Sequence, residues 1–149
     1  MTDKRDEIRI RPMNPADIDA VVAIDRKISG LNRSITYSIN EMIGGQIECS
    51  FIAEVENTPV GFVLSSLSYI PGEIFEACVI QTMGVDPAHW HKGIASKLIN
   101  ALMDAARSKG VEIIRIMVDQ RDDKLVGFFE RLDFNRGRFI DYSKNIQEP

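Results

Sequence analysis

The stretch from Gln81 to Ile99 constrains this chain more than any other. It reads Gln81-Thr82-Met83-Gly84-Val85-Asp86-Pro87-Ala88-His89-Trp90-His91-Lys92-Gly93-Ile94-Ala95-Ser96-Lys97-Leu98-Ile99. An apolar run ends at Val85. Asp86-Pro87 then interrupts it, because proline biases its predecessor out of the helical region and donates nothing to a ladder. From Gly93 the apolar residues fall at Ile94, Leu98, Leu102 and Ala106, flanked by Ile99 and Met103, which is a helical period. The stretch is therefore a strand, a short loop and a helix. Such a loop is suited to an anion: the first amides of the helix lack intrahelical acceptors, and the helix dipole adds partial positive charge there. Gly93 and Ala95 leave room for a phosphate oxygen to approach the backbone.

The rest of the chain frames this stretch. Ile8 and Ile10 alternate with charged residues, as in a strand. Asn14-Pro15-Ala16-Asp17 supplies a cap, a proline at the first helical position and an acid in the first turn of a helix running through Ile18, Val21, Val22 and Ile28. A second helix is expected after Ser34, carried by Ile35, Ile39, Met42 and Ile43 and stopped by Gly44-Gly45. Phe51 to Val55, a turn at Asn57-Thr58-Pro59, and Val60 to Ile70 read as a hairpin. Pro71-Gly72 turns the chain into a strand from Phe75 to Val85. Lys109-Gly110 ends the helix that follows the loop. Val111 to Val118 is evenly apolar, which places it in the middle of a sheet. Asp122 and Asp123 open a last helix with Leu125, Val126, Phe128, Phe129 and Leu132 on one face, and a final strand is expected over Arg138 to Asn145.

The 149 residues suit one domain, residues 1–149, able to bury about 70% of its unfolded surface. Eighteen basic and 22 acidic residues give a net charge of −4, which argues against a nucleic-acid partner. No apolar run has the length of a membrane helix. Met1 to Arg11 is charged throughout, without the apolar core of an export signal, so a cytoplasmic location is expected. Cys49 and Cys78 have no Cys-x-x-Cys spacing and read as reduced thiols.

Val85-Asp86-Pro87 through Gly93-Ile94-Ala95, followed by an amphipathic helix, resembles the acyl-CoA pyrophosphate loop of the GNAT superfamily of N-acetyltransferases. That pattern is Arg or Gln, two residues, Gly, one residue, then Gly or Ala. Gly93 and Ala95 match, and Trp90 stands where Arg or Gln is usual. The three glycines of a dinucleotide-binding turn are absent. The order of elements also matches the family, as do the opening Ile8-Arg9-Ile10-Arg11-Pro12 with Asp17 and the C-terminal Phe128-Phe129-Glu130-Arg131-Leu132-Asp133-Phe134. The resemblance implies an α/β (α+β) fold: a mixed, largely antiparallel sheet with a central V-shaped splay and helices on both faces. It implies acetyl-CoA as acyl donor and an amine as acceptor, and a homodimer is compatible with it.

By the same resemblance, Met83, Gly84 and Val85 offer backbone groups to the pantetheine arm. His91, Lys92, Gly93, Ile94, Ala95 and Ser96 face the pyrophosphate, and Asp122 and Phe129 lie at positions that contact the cofactor. Each has a plainer alternative. Lys92 and Lys97 suit a solvated helix face, Asp122 suits an N-cap, and Trp90 either stacks on adenine or packs. His89 and His91, two apart on a loop with no third ligand nearby, make a weak metal pair. Cys78 reads as a buried small hydrophobe.

Acyl transfer to an amine needs a neutral amine, a stabilised oxyanion and a leaving thiolate. Val85 is the candidate oxyanion donor, through its backbone N–H. Many family members use a tyrosine as proton donor where this chain has Phe129, so Tyr142 or Tyr69 would have to substitute. The strand glutamate that serves some members as base corresponds to Val79. Gln81, Glu73, Glu76 and Asp119 are then the candidates for a water-mediated base, with Glu76 foremost. Deprotonating a lysine amine at pH 7 costs about 4.6 kcal/mol and an α-amino group about 1 kcal/mol, so a site without an obvious base suits a peptide N-terminus or another low-pKa amine. No activated nucleophile is visible, so direct attack in a ternary complex is expected. The alternative is a non-catalytic acyl-CoA-binding regulatory module.

Overall fold

A computed structural model describes residues 7–29, 49–69 and 76–147. The chain divides into two compact units, Met1–Met117 and Val118–Pro149.

The first unit begins with strand β1 (Ile8–Pro12). Asn14 then closes a capping box: its side chain accepts the Ala16 N–H, and its own N–H donates to the Asp17 carboxylate, each at 2.9 Å. A single 3-10 turn, Pro15–Asp17, leads into helix α1 (Ile18–Ser29). Strands β2 (Phe51–Val55) and β3 (Thr58–Tyr69) form a hairpin. Its turn is Glu56-Asn57, with φ of 52° and 62°, the left-handed pair that matches strand twist. The turn lies earlier than the expected Asn57-Thr58-Pro59. Pro59 instead sits within β3 opposite Glu54, beside a register shift between Ala53 and Glu54, where a strand tolerates a missing donor.

Strand β4 (Glu76–Val85) runs antiparallel to β3. Leu64 pairs with Thr82 and Ser65 with Ile80, so Gln81 is the extra residue of a bulge. Helix α2 (Ile94–Ser108) ends with Gly110 at φ 77°, the Gly110 N–H bonding to the Arg107 carbonyl and the Val111 N–H to the Ala106 carbonyl. Strand β5 (Ile114–Ile116) pairs in parallel with β4, giving the sheet order β1-β2-β3-β4-β5. The two faces of β3 carry different helices. Phe62 and Leu64 join Ile52 in a buried cluster with Val21, Val22 and Ile24 of α1. Gly61, pointing the other way, faces Ile94 and Leu98 of α2.

Two further expectations change. Val111 to Val118 is not a central strand: only Ile114–Ile116 pairs, β5 is the edge of the described sheet, and Met117 is 82% exposed. Among the described residues no strand forms over 138–145, where Ile140 and Tyr142 are exposed. Alternating apolar residues favour a strand only when neighbours supply ladder partners. The expected second helix and the Pro71-Gly72 turn fall outside the described residues.

The second unit holds helix α3 (Asp123–Arg131). Asp122 caps it, accepting the Leu125 N–H at 3.1 Å. Asp133, at φ 65°, closes its C-terminus, and Phe134 returns onto Phe129, ring centroids 5.1 Å apart.

Candidate functional site

The expected splay is present between β4 and β5. Their pairing stops at Ile80 with Ile116, while β4 continues to Val85 with β3 as its partner. Among the described residues, one edge of β4 is therefore without a strand from the bulge at Gln81 onward. Which groups face that edge follows from alternation along a strand. The Asp86 N–H bonds to the Val60 carbonyl at 2.7 Å, on the β3 side. Gly84 and Thr82 share that direction, so the N–H and C=O groups of Met83 and Val85 point to the unpaired edge. The Val85 carbonyl is taken by the Trp90 indole, whose Nε1 donates to it at 2.7 Å.

The loop beyond β4 is tightly tied. Asp86 Oδ1 accepts the Ala88 N–H at 3.0 Å, starting the single 3-10 turn Pro87–His89, and Asp86 Oδ2 pairs with Lys27 Nζ of α1 at 2.7 Å. Lys27 first, and the Ala88 amide second, hold the Asp86 carboxyl below the usual carboxylate range. His91 lies in the left-handed region at φ 66°, and Gly93 follows at φ 76°. Gly93 is the N-cap of α2; among the described residues no side chain bonds to the helix end, and none beyond its chain neighbours lies within 4 Å of where a Cβ would stand. The amides of Gly93, Ile94, Ala95 and Ser96 thus head a 15-residue helix without intrahelical acceptors, and a left-handed residue before a helical one gathers them into a concavity. Ile94 is buried and anchors the first turn, while His91, Lys92 and Gly93 are exposed. Lys92 Nζ lies 3.4 Å from His89 Nδ1.

Met83, Gly84, Val85 and the loop His91 to Ser96 therefore share one end of β4. Glu76 does not join them. It starts the 10-residue strand that Val85 ends, and at about 3.3 Å per step the two are separated by roughly 30 Å. Asp119 is bound by Arg121 through two side-chain contacts and the backbone N–H, which hold its carboxyl down at about 2 and make it a weak base. Val79 pairs with Arg115, and Gln81 Nε2 donates to Ser66 Oγ at 3.1 Å. Glu73 lies outside the described residues. Cys78 is fully buried, its Sγ 3.5 Å from Ser65 Oγ, and burial pushes its pKa up. In the second unit, Asp122 serves as the cap, Phe129 is buried between Phe128 and Phe134, and Tyr142 is 87% exposed.

Three features escaped the sequence reading: the indole bond of Trp90, the Lys27–Asp86 pair and the packing at Gly61. Only Gly61 had a local signal, as a glycine inside a strand.

Residues 24–134 match the family model described as Acetyltransferase (GNAT) family. The chain belongs to the GNAT acetyltransferase family. This GNAT chain is 33% identical over 91 residues to an uncharacterized N-acetyltransferase of Methanocaldococcus jannaschii, covering 60% of the chain and 40% of that protein. It is 30% identical over 99 residues to an acetyltransferase of Yersinia pestis, covering 66% of each. The match thus spans less than two thirds of the length of these curated relatives. Solved structures of the same fold include AAC(6')-Iy in complex with a CoA-containing bisubstrate analogue, with a TM-score of 0.76, 20% identity, and coverage of 93% of this chain and 99% of that one. A ribosomal-protein-alanine N-acetyltransferase from Brucella melitensis gives a TM-score of 0.77 at 18% identity, covering 94% and 99%.

Proposed function

We propose that this GNAT domain transfers an acetyl group from acetyl-CoA to an amine by direct attack in a ternary complex. One observation carries the proposal: the edge of β4 at Met83 and Val85, unpaired among the described residues, leads directly into the left-handed Gly93 and the start of α2, which no described side chain caps. A strand edge fits an amide-bearing pantetheine arm, and the helix start fits its pyrophosphate. The space beside Gly93, open among the described residues, leaves room for the phosphate oxygens.

Acetyl-CoA supplies the activated acetyl group, and the chain's own groups do the rest. Met83 orients the arm through its backbone. The Val85 N–H, on the open edge, stabilises the oxyanion. The amides from His91 to Ser96 hold the diphosphate. With Glu76 distant and Asp119 locked to Arg121, an acceptor that is readily neutral is favoured, so the proposed substrate is a peptide α-amino group. The two named structural neighbours are an aminoglycoside N-acetyltransferase and a ribosomal-protein-alanine N-acetyltransferase, and the second supports a protein acceptor. Phe129 has no hydroxyl to protonate the departing thiolate, and Tyr142 is the proposed donor. A Tyr142→Phe variant with an unchanged rate of thiol release removes it from that role.

Thermal melts with acetyl-CoA, with NADH as control, test the binding step. Acetyl-CoA at 100 times its Kd adds about 2.7 kcal/mol. A rise with acetyl-CoA alone, followed by thiol release with an alanine-initiated peptide, supports the proposal. A rise without thiol release from any of a peptide, an aminoglycoside or a polyamine points to the non-catalytic acyl-CoA-binding module. No rise removes both readings.

A further inference from the structure

Trp90 stands where the family pattern has arginine or glutamine, and it is the only tryptophan in the chain. Its ring is half exposed, yet its Nε1 donates to the Val85 carbonyl at 2.7 Å. The peptide unit joining Val85 to Asp86 is consequently held at both ends. Its carbonyl accepts from Trp90, and its N–H donates to the Val60 carbonyl at 2.7 Å. Asp86 secures the same point from below the loop through Ala88 and Lys27.

We infer that Trp90 is a positioning residue for acyl transfer: its indole N–H clamps the Val85–Asp86 peptide so that the last open position of β4 presents a donor and no free acceptor. The inference rests on the acetyl-transfer reading above. An unpaired β4 edge at Val85 would offer both an N–H and a C=O. A carbonyl oxygen directed at the reaction centre would repel the developing oxyanion, and a mobile peptide would blur the direction of the neighbouring N–H. The indole bond removes both problems. It neutralises the carbonyl dipole and fixes the plane, which is the preorganisation that electrostatic stabilisation requires. Arginine or glutamine at this place would act through a flexible side chain, whereas the indole has two rotatable bonds and a single, fixed donor.

Trp90→Phe keeps a ring and deletes only the N–H. In this variant the Asp86 amide, followed by hydrogen exchange, is expected to exchange about tenfold faster, as for a locally weakened strand end. With the amine that wild type turns over fastest, kcat is expected to fall about tenfold, while the Kd for acetyl-CoA and the melting temperature stay within twofold and within a degree or so. Exchange and kcat that both match wild type overturn the inference. A variant that loses acetyl-CoA affinity with kcat unchanged overturns it too, since the ring then serves as a stacking platform. If wild type fails to bind acetyl-CoA, the acetyl-transfer reading falls first, and unchanged Asp86 exchange in Trp90→Phe would separately overturn the clamp.

Discussion

Lys27 Nζ sits 2.7 Å from Asp86 Oδ2, joining the last turn of α1 to the loop that follows β4. Lys27 is largely exposed, so the pair by itself is worth less than about 1 kcal/mol. Asp86 does more, because its other oxygen accepts the Ala88 N–H. Asp86→Ala should therefore lose about 1–2 kcal/mol in urea unfolding, and Lys27→Met distinctly less. The Asp86 carboxyl is depressed in the folded state, so its contribution is present above the unfolded value near 3.9 and disappears as pH falls through the lower folded value. The stability gap between wild type and Asp86→Asn should accordingly narrow as pH falls below the unfolded value and through the lower folded one.

Arg11 forms the second charged junction. Its Nη1 and Nη2 donate to Asp17 at 2.8 and 2.7 Å, and its Nε lies 3.2 Å from Glu54. Both carboxylates are nearly buried. The Arg11 hydrogen bonds lower the Asp17 pKa, with the Asn14 N–H adding to them, against an opposing effect of burial. Arg11→Met strands two carboxylates and should destabilise by about 3 kcal/mol at pH 7. The loss should shrink at acid pH as Asp17 protonates, which unfolding curves between pH 7 and 3 would show.

Gly93 is held at φ 76° with open space beside it. Strain, and not crowding, therefore governs substitution. Gly93→Val should cost about 1–2 kcal/mol of stability. It should also weaken acetyl-CoA binding by more than about tenfold, because the misdirected amides no longer converge. Calorimetric titration against Gly110→Val, a left-handed glycine at the far end of the same helix, separates the two effects: that control should lose stability and keep affinity.

Gly61 pairs with Val85 and lets α2 approach the sheet. A Cβ there would stand 3.1 Å from Ile94 Cγ2, 3.3 Å from the Gly84 carbonyl oxygen and 3.4 Å from Leu98 Cδ1. Ile94 and Leu98 are buried, so relief requires moving the helix. Gly61→Ala should cost about 1–3 kcal/mol by overpacking. Because the shifted turn carries the anion-facing amides, acetyl-CoA affinity should fall with it, as a paired melt and titration would register.

The alternations that announce β1 and the hairpin, the cap at Asn14, and the 3.6-residue period from Ile94 to Ala106 are properties of adjacent residues. So is the Gly93-Ile94-Ala95 loop, because a left-handed glycine before an amphipathic helix is a local requirement. These determined the family resemblance, the order of the described elements from β1 to α3, and the place of the amides that open α2. Tertiary structure decided what depends on partners. The apolar run at 111–118 became a three-residue edge strand, and Arg138 to Asn145 formed no strand, because ladder hydrogen bonds are made between segments and not within them. The bulge at Gln81, the separation of Glu76 from Val85, and the bond from Trp90 to the Val85 carbonyl belong to the same class. Each is set by where two strands cease to pair or where a side chain meets a backbone group, and no spacing along the chain encodes that meeting.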